Sequence, residues 1–372
     1  MLGSVRIRSR LKDRGLEVCL NARPAVHRLT RIRTASLLLG VLAALGVARP
    51  PAVAAEDEFH PAWEQFPTLV TLMIENGVVR ARTGADSSGQ VQVVRFDAEA
   101  KSWSRPVPEV LPAGKSEHPR LDQVLVFNGG LFDQYSSASE IDLGEGFVLA
   151  KRDTGYALID QGVDRGWPTV SVYDIPKWGR EVRLGLPRDF PEDQLETLHA
   201  QGRLRNVPGP FARVGDKLWF GLAGGFAAGE GQLGGLLAWD TAKKQFEVVR
   251  HKFIIDVAVT RLLSIGDELW VGTGRFAPSN LEGLRGMLLY RPARREWRQF
   301  APDNSRIAGD LVYDMAASGR QLWATTSLGI SRYDLDKRLW SSWYWERADD
   351  GGFELTSERP VDLSDRFHGE FR

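Results

Sequence analysis

The stretch DELWVGTG at 267–274 sets Trp270 among apolar residues and ends on glycine. Two further stretches repeat this pattern: DKLWFGLAG at 216–224, around Trp219, and RQLWATTSLG at 320–329, around Trp323. The three tryptophans are 51 and 53 residues apart. A repeat of this length, made of short apolar runs broken by glycine and aspartate, is typical of the four-stranded blades of a β-propeller.

Two weaker copies lie upstream when the chain is aligned on this anchor position. Leu149 takes the place of the tryptophan in FVLAKRDTGYALID (147–160), and Arg80 takes it in VVRARTG (78–84). After each anchor a strand is predicted to end on a polar residue, and an aromatic residue follows six or seven positions later. The pairs are Asp97 and Trp103, Asp160 and Trp167, Asp240 and Phe246, Arg291 and Trp297, and Asp334 and Trp340.

These registers predict an all-β fold, a single β-propeller with five recognisable four-stranded blades. For the blade around Trp270 they predict strands at 256–264, 268–273, 286–291 and 296–300. The anchor tryptophans are expected to be buried between blades, since both faces of a propeller sheet pack against neighbours.

Some stretches do not fit the repeat. Residues 108–138, which include the strand-like DQVLVFN (122–128), form an insertion that could be a degenerate sixth blade. Residues 174–208 form a second insertion, with a short helix predicted at 191–201. The propeller is therefore expected to span 56–345, and 346–372 is a charged tail that either closes the ring or is mobile.

The N-terminal residues have the layout of a secretory signal peptide, predicted to span 1–55. Its basic region is unusually long, and the apolar run at 35–47 is followed by small residues up to Ala55. That run is shorter than the ~20 residues that span a bilayer. We therefore expect export to the periplasm or the exterior, with no membrane insertion after processing.

Cleavage near Ala55 would change the charge of the chain. The remaining residues would contain 38 basic and 46 acidic side chains, a net charge of −8. An acidic surface argues against binding to nucleic acid, which requires lysine and arginine against the phosphates. The only cysteine, Cys19, would be removed as well, so no disulfide or thiol chemistry is expected.

The strings ELWVGT (268–273) and GISRYD (329–334) resemble the propeller repeats of bacterial two-component-regulator-type periplasmic sensor domains. The resemblance implies a propeller in an exported protein and says little about its ligand. In that family the repeats are joined to a membrane helix and a kinase. Neither is recognised after the repeats here, so signalling by this chain itself is not expected.

The long connections are all predicted on one face of the propeller, at 108–138, 174–208, 223–233 and 274–285. Loops elaborated on one side of a rigid scaffold usually carry binding. We therefore expect a binding or scaffold module for a protein, a peptide or a glycan, with a structural partner in a secreted assembly as a further alternative. The predicted contact residues are Phe226, Arg261, Arg275, Phe276 and Asn280.

An enzyme is the alternative from a different class. Carboxylates near the starts of the innermost strands could act as acid and base in a propeller-type hydrolase or lyase, or hold Ca²⁺. The candidates are Asp256, Asp310, Asp314 and Glu140. They are spread over several blades without a dense cluster, and no metal-binding or phosphate-binding motif is present. A binding module without a cofactor is therefore expected ahead of an enzyme.

Overall fold

The computed structural model describes residues 67–84, 89–110, 139–153, 155–169, 201, 204–227, 230–251, 253–254, 257–274 and 286–357. The chain divides into two compact units, Met1–Phe59 and His60–Arg372, and every described residue belongs to the second. The predicted signal peptide therefore lies outside the described residues. Within them, no helix is long and apolar enough to cross a membrane.

Five antiparallel sheets follow one another along the chain, and in each the strands pair in sequence order. Blade 1 contains β1 (Leu69–Glu75), β2 (Val78–Thr83), β3 (Gln90–Asp97) and β4 (Ser102–Trp103), and β5 (Val107–Val110) also pairs with β3. Blade 2 contains β6 (Glu140–Gly144), β7 (Phe147–Arg152), β8 (Gly155–Asp160) and β9 (Val163–Asp164).

Blade 3 contains β11 (Pro208–Val214), β12 (Lys217–Leu222), β15 (Leu236–Asp240) and β16 (Gln245–Val249). Blade 4 contains β17 (Ala258–Ile265), β18 (Glu268–Gly274), β19 (Met287–Arg291) and β20 (Glu296–Phe300). Blade 5 contains β21 (Val312–Ser318), β22 (Gln321–Thr326), β23 (Gly329–Asp334), β24 (Leu339–Arg347) and β25 (Phe353–Thr356). The predicted all-β propeller is confirmed, and the blade 4 strands agree with their predicted bounds to within two residues.

All five anchor positions lie in the second strand of their blade. The three anchor tryptophans are each 1% exposed and pack against an aromatic residue near the end of the third strand of the next blade. The pairs, with the distances between ring centroids, are Trp219 and Tyr290 at 5.5 Å, Trp270 and Tyr333 at 5.3 Å, and Trp323 and Phe96 at 4.8 Å. The repeat therefore marks the packing between blades, as predicted.

The third strands end at the predicted polar residues, Asp97, Asp160, Asp240, Arg291 and Asp334. In three blades the aspartate Oδ1 accepts two backbone N–H groups of the following turn. The last turn residue is left-handed, with φ of 54° at Lys101 and Lys244 and 56° at Arg338. In these three blades the carboxylate fixes a four-residue turn by replacing backbone partners, whereas the corresponding turn of blade 2, at 161–162, has two residues.

Apolar clusters join the blades in the order 2, 3, 4, 5 and 1. Blades 5 and 1 pack together through Trp323, Trp343, Phe96 and Trp103, and Trp343 Nε1 donates a hydrogen bond to the Lys101 carbonyl at 3.1 Å. In the described part of the chain, no apolar cluster joins blade 1 to blade 2. The proposed sixth blade at 108–138 lies almost entirely outside the described residues.

A small additional sheet corrects one expectation. Residues 223–233 were expected to form a loop, but β13 (Gly224–Ala227) and β14 (Glu230–Leu233) form a hairpin. Strand β14 also pairs in parallel with β10 (Leu204–Arg205), which belongs to the predicted insertion at 174–208. The glycine-rich sequence of the hairpin favours a turn, and the pairing with a distant segment makes it a strand. The helix predicted at 191–201 lies outside the described residues, apart from residue 201.

Candidate functional site

The two ends of the blades differ in the length of their connections. Between the first and second strands every blade has a two-residue turn, at 76–77, 145–146, 215–216, 266–267 and 319–320. The connections at the other end have two residues at 327–328 and twelve or more at 223–235 and 275–286, and they include every blade-to-blade connection. We call this second end the loop face, and the first the short-turn face.

A β-bulge lies near the start of the innermost strand in four blades. The pairing register shifts between Leu69 and Thr71 in β1, Pro208 and Phe211 in β11, Val259 and Arg261 in β17, and Val312 and Asp314 in β21. A bulge inserts one extra residue and re-aims the side chains that follow it. Arg261 and Asp314, which align nine residues before their anchors, both come directly after such a bulge.

Asp314 joins three blades. Its side chain is 4% exposed, and Oδ1 lies 3.1 Å from Nε of Arg261 in blade 4. The same oxygen accepts the Met315 N–H at 2.7 Å, and Oδ2 accepts the Leu72 N–H of blade 1 at 2.7 Å. A strand at the edge of a sheet carries unpaired backbone groups along its free side. Asp314 accepts a hydrogen bond from one of these groups, the Leu72 N–H. Its carboxylate therefore has a structural role between blades.

Arg261 has a similar position one blade earlier. Its side chain is 16% exposed, and Nε donates to the Met315 carbonyl of blade 5 at 3.4 Å. The neighbouring Thr260 Oγ1 donates to the Val312 carbonyl at 2.7 Å. Arg261 was predicted to contact a ligand, and the structure places its Nε at the boundary between blades 4 and 5.

Asp310 lies just before β21 and contacts Gly286, the last residue of the long connection between β18 and β19. Its backbone carbonyl accepts the Gly286 N–H at 2.8 Å, which ties that connection to blade 5. Removal of its half-buried carboxyl from water raises the pKa of Asp310 to about 6, and the negative charge of Asp303 acts in the same direction. Asp310 is therefore a loop-face carboxyl that holds its proton more tightly than usual.

The predicted carboxylates that the structure describes have different surroundings. Glu140 is exposed at the start of β6, with Oε1 3.9 Å from Nη1 of Arg152 in the same blade. Asp256 lies outside the described residues. Among the residues that the structure describes, no three His, Cys, Asp or Glu side chains come together as they would to hold a metal ion. A Ca²⁺ site built with Asp256 stays a prediction.

The predicted contact residues are only partly covered by the structure. Phe226 lies in β13 opposite Gly231, and only its backbone is described. Arg275, Phe276 and Asn280 belong to the blade 4 connection and lie outside the described residues. Their role in binding stays a prediction.

Asn206 is a polar residue at the loop face that the sequence did not single out. It is 3% exposed, and its backbone carbonyl accepts Nε1 of Trp167 at 2.7 Å. Its Nδ2 donates to the Pro168 carbonyl at 3.0 Å, and its Oδ1 accepts Nη2 of Arg250 at 2.6 Å. These contacts hold the two ends of the insertion together. Asn206 lies 38 to 44 residues from these partners in the sequence. The only sequence signal for this cluster was the aromatic spacing at Trp167.

No protein-family model and no curated protein matches this chain. Among solved structures, it is similar to the extracellular domain of BT4673 from B. thetaiotaomicron, described in one structure as a hybrid two-component system and in another as a one-component system. Both show 12% identity over 78% of this chain, with TM-scores of 0.33 and 0.32. A GH74 enzyme from Niastella koreensis shows 11% identity over 78% of this chain, with a TM-score of 0.29.

The chain spans 30%, 30% and 38% of the lengths of these three structures. At such TM-scores the similarity says nothing about what this chain binds or whether it is an enzyme.

Proposed function

We propose that this chain is an exported β-propeller that binds a protein, a peptide or a glycan through its loop face. The observation that carries the proposal is the difference between the two faces. All five turns between first and second strands have two residues, while the connections at the opposite end vary from two residues to more than twelve. Loop growth without a function would not be confined to one face, whereas a binding surface needs loops that converge.

The scaffold beneath these loops is rigid, which favours binding. Asp314 and Arg261 fix the innermost strands of blades 1, 4 and 5 against each other. Asn206 fixes the ends of the insertion between blades 2 and 3. Loops held at both ends by buried hydrogen bonds lose less entropy when a ligand orders them.

The proposed contacts are Phe226, Phe276, Arg275 and Asn280. Large apolar side chains in connections rich in glycine and polar residues are typical of contact surfaces. Arg261 is proposed as a supporting residue, because its Nε is directed at Asp314 rather than at the loops.

The experiment is a selection of ligands for the full chain from a displayed peptide library and a glycan array. The selected ligand is then measured against a triple variant with alanine at Arg275, Phe276 and Asn280. The control carries alanine at Arg294 and Lys337, exposed residues in the turns of the short-turn face. We expect the triple variant to bind at least about tenfold more weakly and the control to bind normally. Equal affinity of the triple variant would contradict the proposal.

The hydrolase or lyase alternative has less support. Both oxygens of Asp314 accept hydrogen bonds within the ring, so this carboxylate is not available to act on a substrate. Glu140 is exposed beside Arg152, in another blade. A binding module requires no such convergence of carboxylates, and we therefore place it first.

A further inference from the structure

The connection between the second and third strands of a blade is closed at its base by one repeated pair of residues. The first member lies three positions after the anchor, and the second is a glycine at, or directly before, the start of the third strand. In blades 2 to 5 the pairs are Arg152 and Gly155, Leu222 and Gly235, Thr273 and Gly286, and Thr326 and Gly329. We call each pair a loop clamp.

The backbone explains why the second member of each loop clamp is a glycine. Its φ is positive in all four blades, at 148°, 102°, 72° and 150° in chain order. In blades 4 and 5 a Cβ atom would lie 2.2 Å and 2.0 Å from the carbonyl oxygens of Phe300 and Trp343 in the fourth strand. Gly286 and Gly329 therefore lie directly against the neighbouring strand, which fixes the place where the third strand begins.

The loop clamps enclose connections of very different length. The enclosed residues number two in blades 2 and 5, at 153–154 and 327–328, and twelve in blades 3 and 4, at 223–234 and 274–285. In blades 3 and 4 the second-strand N–H donates to the glycine carbonyl, at 2.9 Å from Leu222 and 3.2 Å from Thr273. The register between the second and third strands is the same in all four blades, so it does not depend on the length of the connection.

In blades 4 and 5 a buried threonine strengthens the loop clamp. Thr273 Oγ1 donates to the Gly286 carbonyl at 2.6 Å, and Thr326 Oγ1 donates to the Gly329 carbonyl at 3.1 Å. The two threonines are 0% and 1% exposed. Blade 4 adds a contact to the next blade, because the Gly286 N–H donates to the Asp310 carbonyl at 2.8 Å. Gly286 is thus held through both its N–H and its carbonyl.

We propose that Thr273 and Gly286 are positioning residues that set the base of the blade 4 connection and make this connection a separable binding element of the loop face. The inference rests on the function proposed above. Blade 4 then folds in the same way with a different connection, as blade 5 does with two residues in the same clamp. The clamp holds the two ends of the connection together, which lowers the entropy that a bound partner must remove.

Blade 3 provides a contrast, because its connection is tied to the fold at more points. The Gly234 N–H donates to the Ala223 carbonyl at 3.0 Å, and a Cβ atom at Gly234 would lie 2.5 Å from the Val257 carbonyl oxygen. Strand β14 within this connection pairs with β10. The blade 3 connection is therefore part of a sheet, and separability is proposed for blade 4 alone.

The first test needs no binding partner. In the full chain, residues 274–285 are replaced by Ser-Leu, the pair that blade 5 has at 327–328, so that the clamp of blade 4 becomes Thr-Ser-Leu-Gly. We expect the melting temperature to stay within about 3 °C of that of the unaltered chain, since a shorter loop costs less closure entropy. The comparison replaces 223–234 with the same pair, and it should melt at least about 5 °C lower because it removes a paired strand.

The second test separates positioning from stability with the threonines of blades 4 and 5. Thr273→Val and Thr326→Val each replace a buried hydroxyl with a methyl group, and both should lower the melting temperature by about 2–4 °C. Only Thr273→Val should weaken binding of the peptide or glycan selected on the full chain, by about fivefold or more. Thr273→Ser keeps the hydroxyl and should bind like the unaltered chain.

Two results would overturn the proposal. One is a replacement of 274–285 that lowers the melting temperature as much as the replacement of 223–234 does. The other is undiminished binding to Thr273→Val, or an equal loss of binding in Thr326→Val. If no peptide or glycan is selected, that result counts against the proposed function. The melting temperatures still decide whether the blade 4 connection is separable, so the two failures are distinguishable.

Discussion

Arg261 and Asp314 face each other across the boundary between blades 4 and 5, with 3.1 Å between Nε and Oδ1. The other carboxylate oxygen of Asp314 reaches a third blade at the Leu72 N–H, 242 positions away in sequence. One buried carboxylate thus links the first strands of three blades.

Asp314→Ala is expected to lower the free energy of unfolding by about 3–5 kcal/mol, because it leaves Arg261 and the Leu72 N–H without this acceptor in a buried place. Urea unfolding measures the change. The control is Asp336→Ala, which removes a carboxylate whose side chain is 63% exposed beside Arg320, and it should have no measurable effect. Adding Arg261→Met to Asp314→Ala should recover part of the loss. Equal, small effects of both aspartate variants would show that the link does not stabilise the ring.

The stability of the protein is expected to fall between about pH 4 and pH 6 through Asp310. Its folded pKa of about 6 lies above the ordinary value of 3.8, so the folded state binds more protons than the unfolded state in this window. Stability contributed by the protonated carboxyl is fully present below the unfolded pKa and is lost as the pH rises through about 6.

Asp310→Asn should remove this loss and raise the free energy of unfolding at pH 8 by about 1–3 kcal/mol. Urea unfolding over a series of pH values measures it. Asp303→Asn should reduce the loss partially, since the charge of Asp303 raises the pKa of Asp310. A wild-type pH profile identical to that of Asp310→Asn would refute this role.

Trp270→Ala should cost about 3–5 kcal/mol of stability, because it opens a cavity against Tyr333 and Phe300 in the cluster between blades 4 and 5. Thermal and urea unfolding measure the loss. Leu339→Ala is the control, because Leu339 is 63% exposed at the start of β24, and it should change stability by less than about 0.5 kcal/mol. Similar losses at both positions would argue against packing as the role of the anchor.

Gly286 and Gly319 form a matched pair, both with positive φ, of 72° and 54°. A Cβ atom at Gly319 would meet nothing within 4 Å, so Gly319→Ala should cost only about 1–2 kcal/mol of backbone strain. At Gly286 a Cβ atom would lie 2.2 Å from the Phe300 carbonyl oxygen, and the backbone must shift. Gly286→Ala should therefore cost about 2–5 kcal/mol. Urea unfolding that ranked Gly319→Ala as the more harmful change would contradict this geometry.

The sequence predicts the parts of the fold that rest on local spacing. Trp270 marked the second strand of its blade, and Asp240 and Asp334 marked the ends of third strands, because hairpins and their turns depend on neighbouring residues. The hairpin β13–β14 was not predicted. Its strands depend on pairing with Leu204–Arg205, and such long-range pairing leaves no trace in a glycine-rich stretch.

The candidate site was less predictable for a similar reason. Asp314 and Arg261 were noticed from their alignment with the anchors, but their partnership depends on the bulges and on ring closure.

The closure of the ring at Asp314 and Trp323 has a consequence for folding kinetics. Each blade consists of hairpins between neighbouring residues, which form quickly, whereas joining blades 5 and 1 closes a loop of more than two hundred residues. The entropy of that closure is lost before its contacts form. These contacts are therefore expected to form after the main folding barrier. Contacts formed after the barrier control the unfolding rate. Substitutions at Asp314 or Trp323 should therefore change how long the closed ring survives more than how fast it forms.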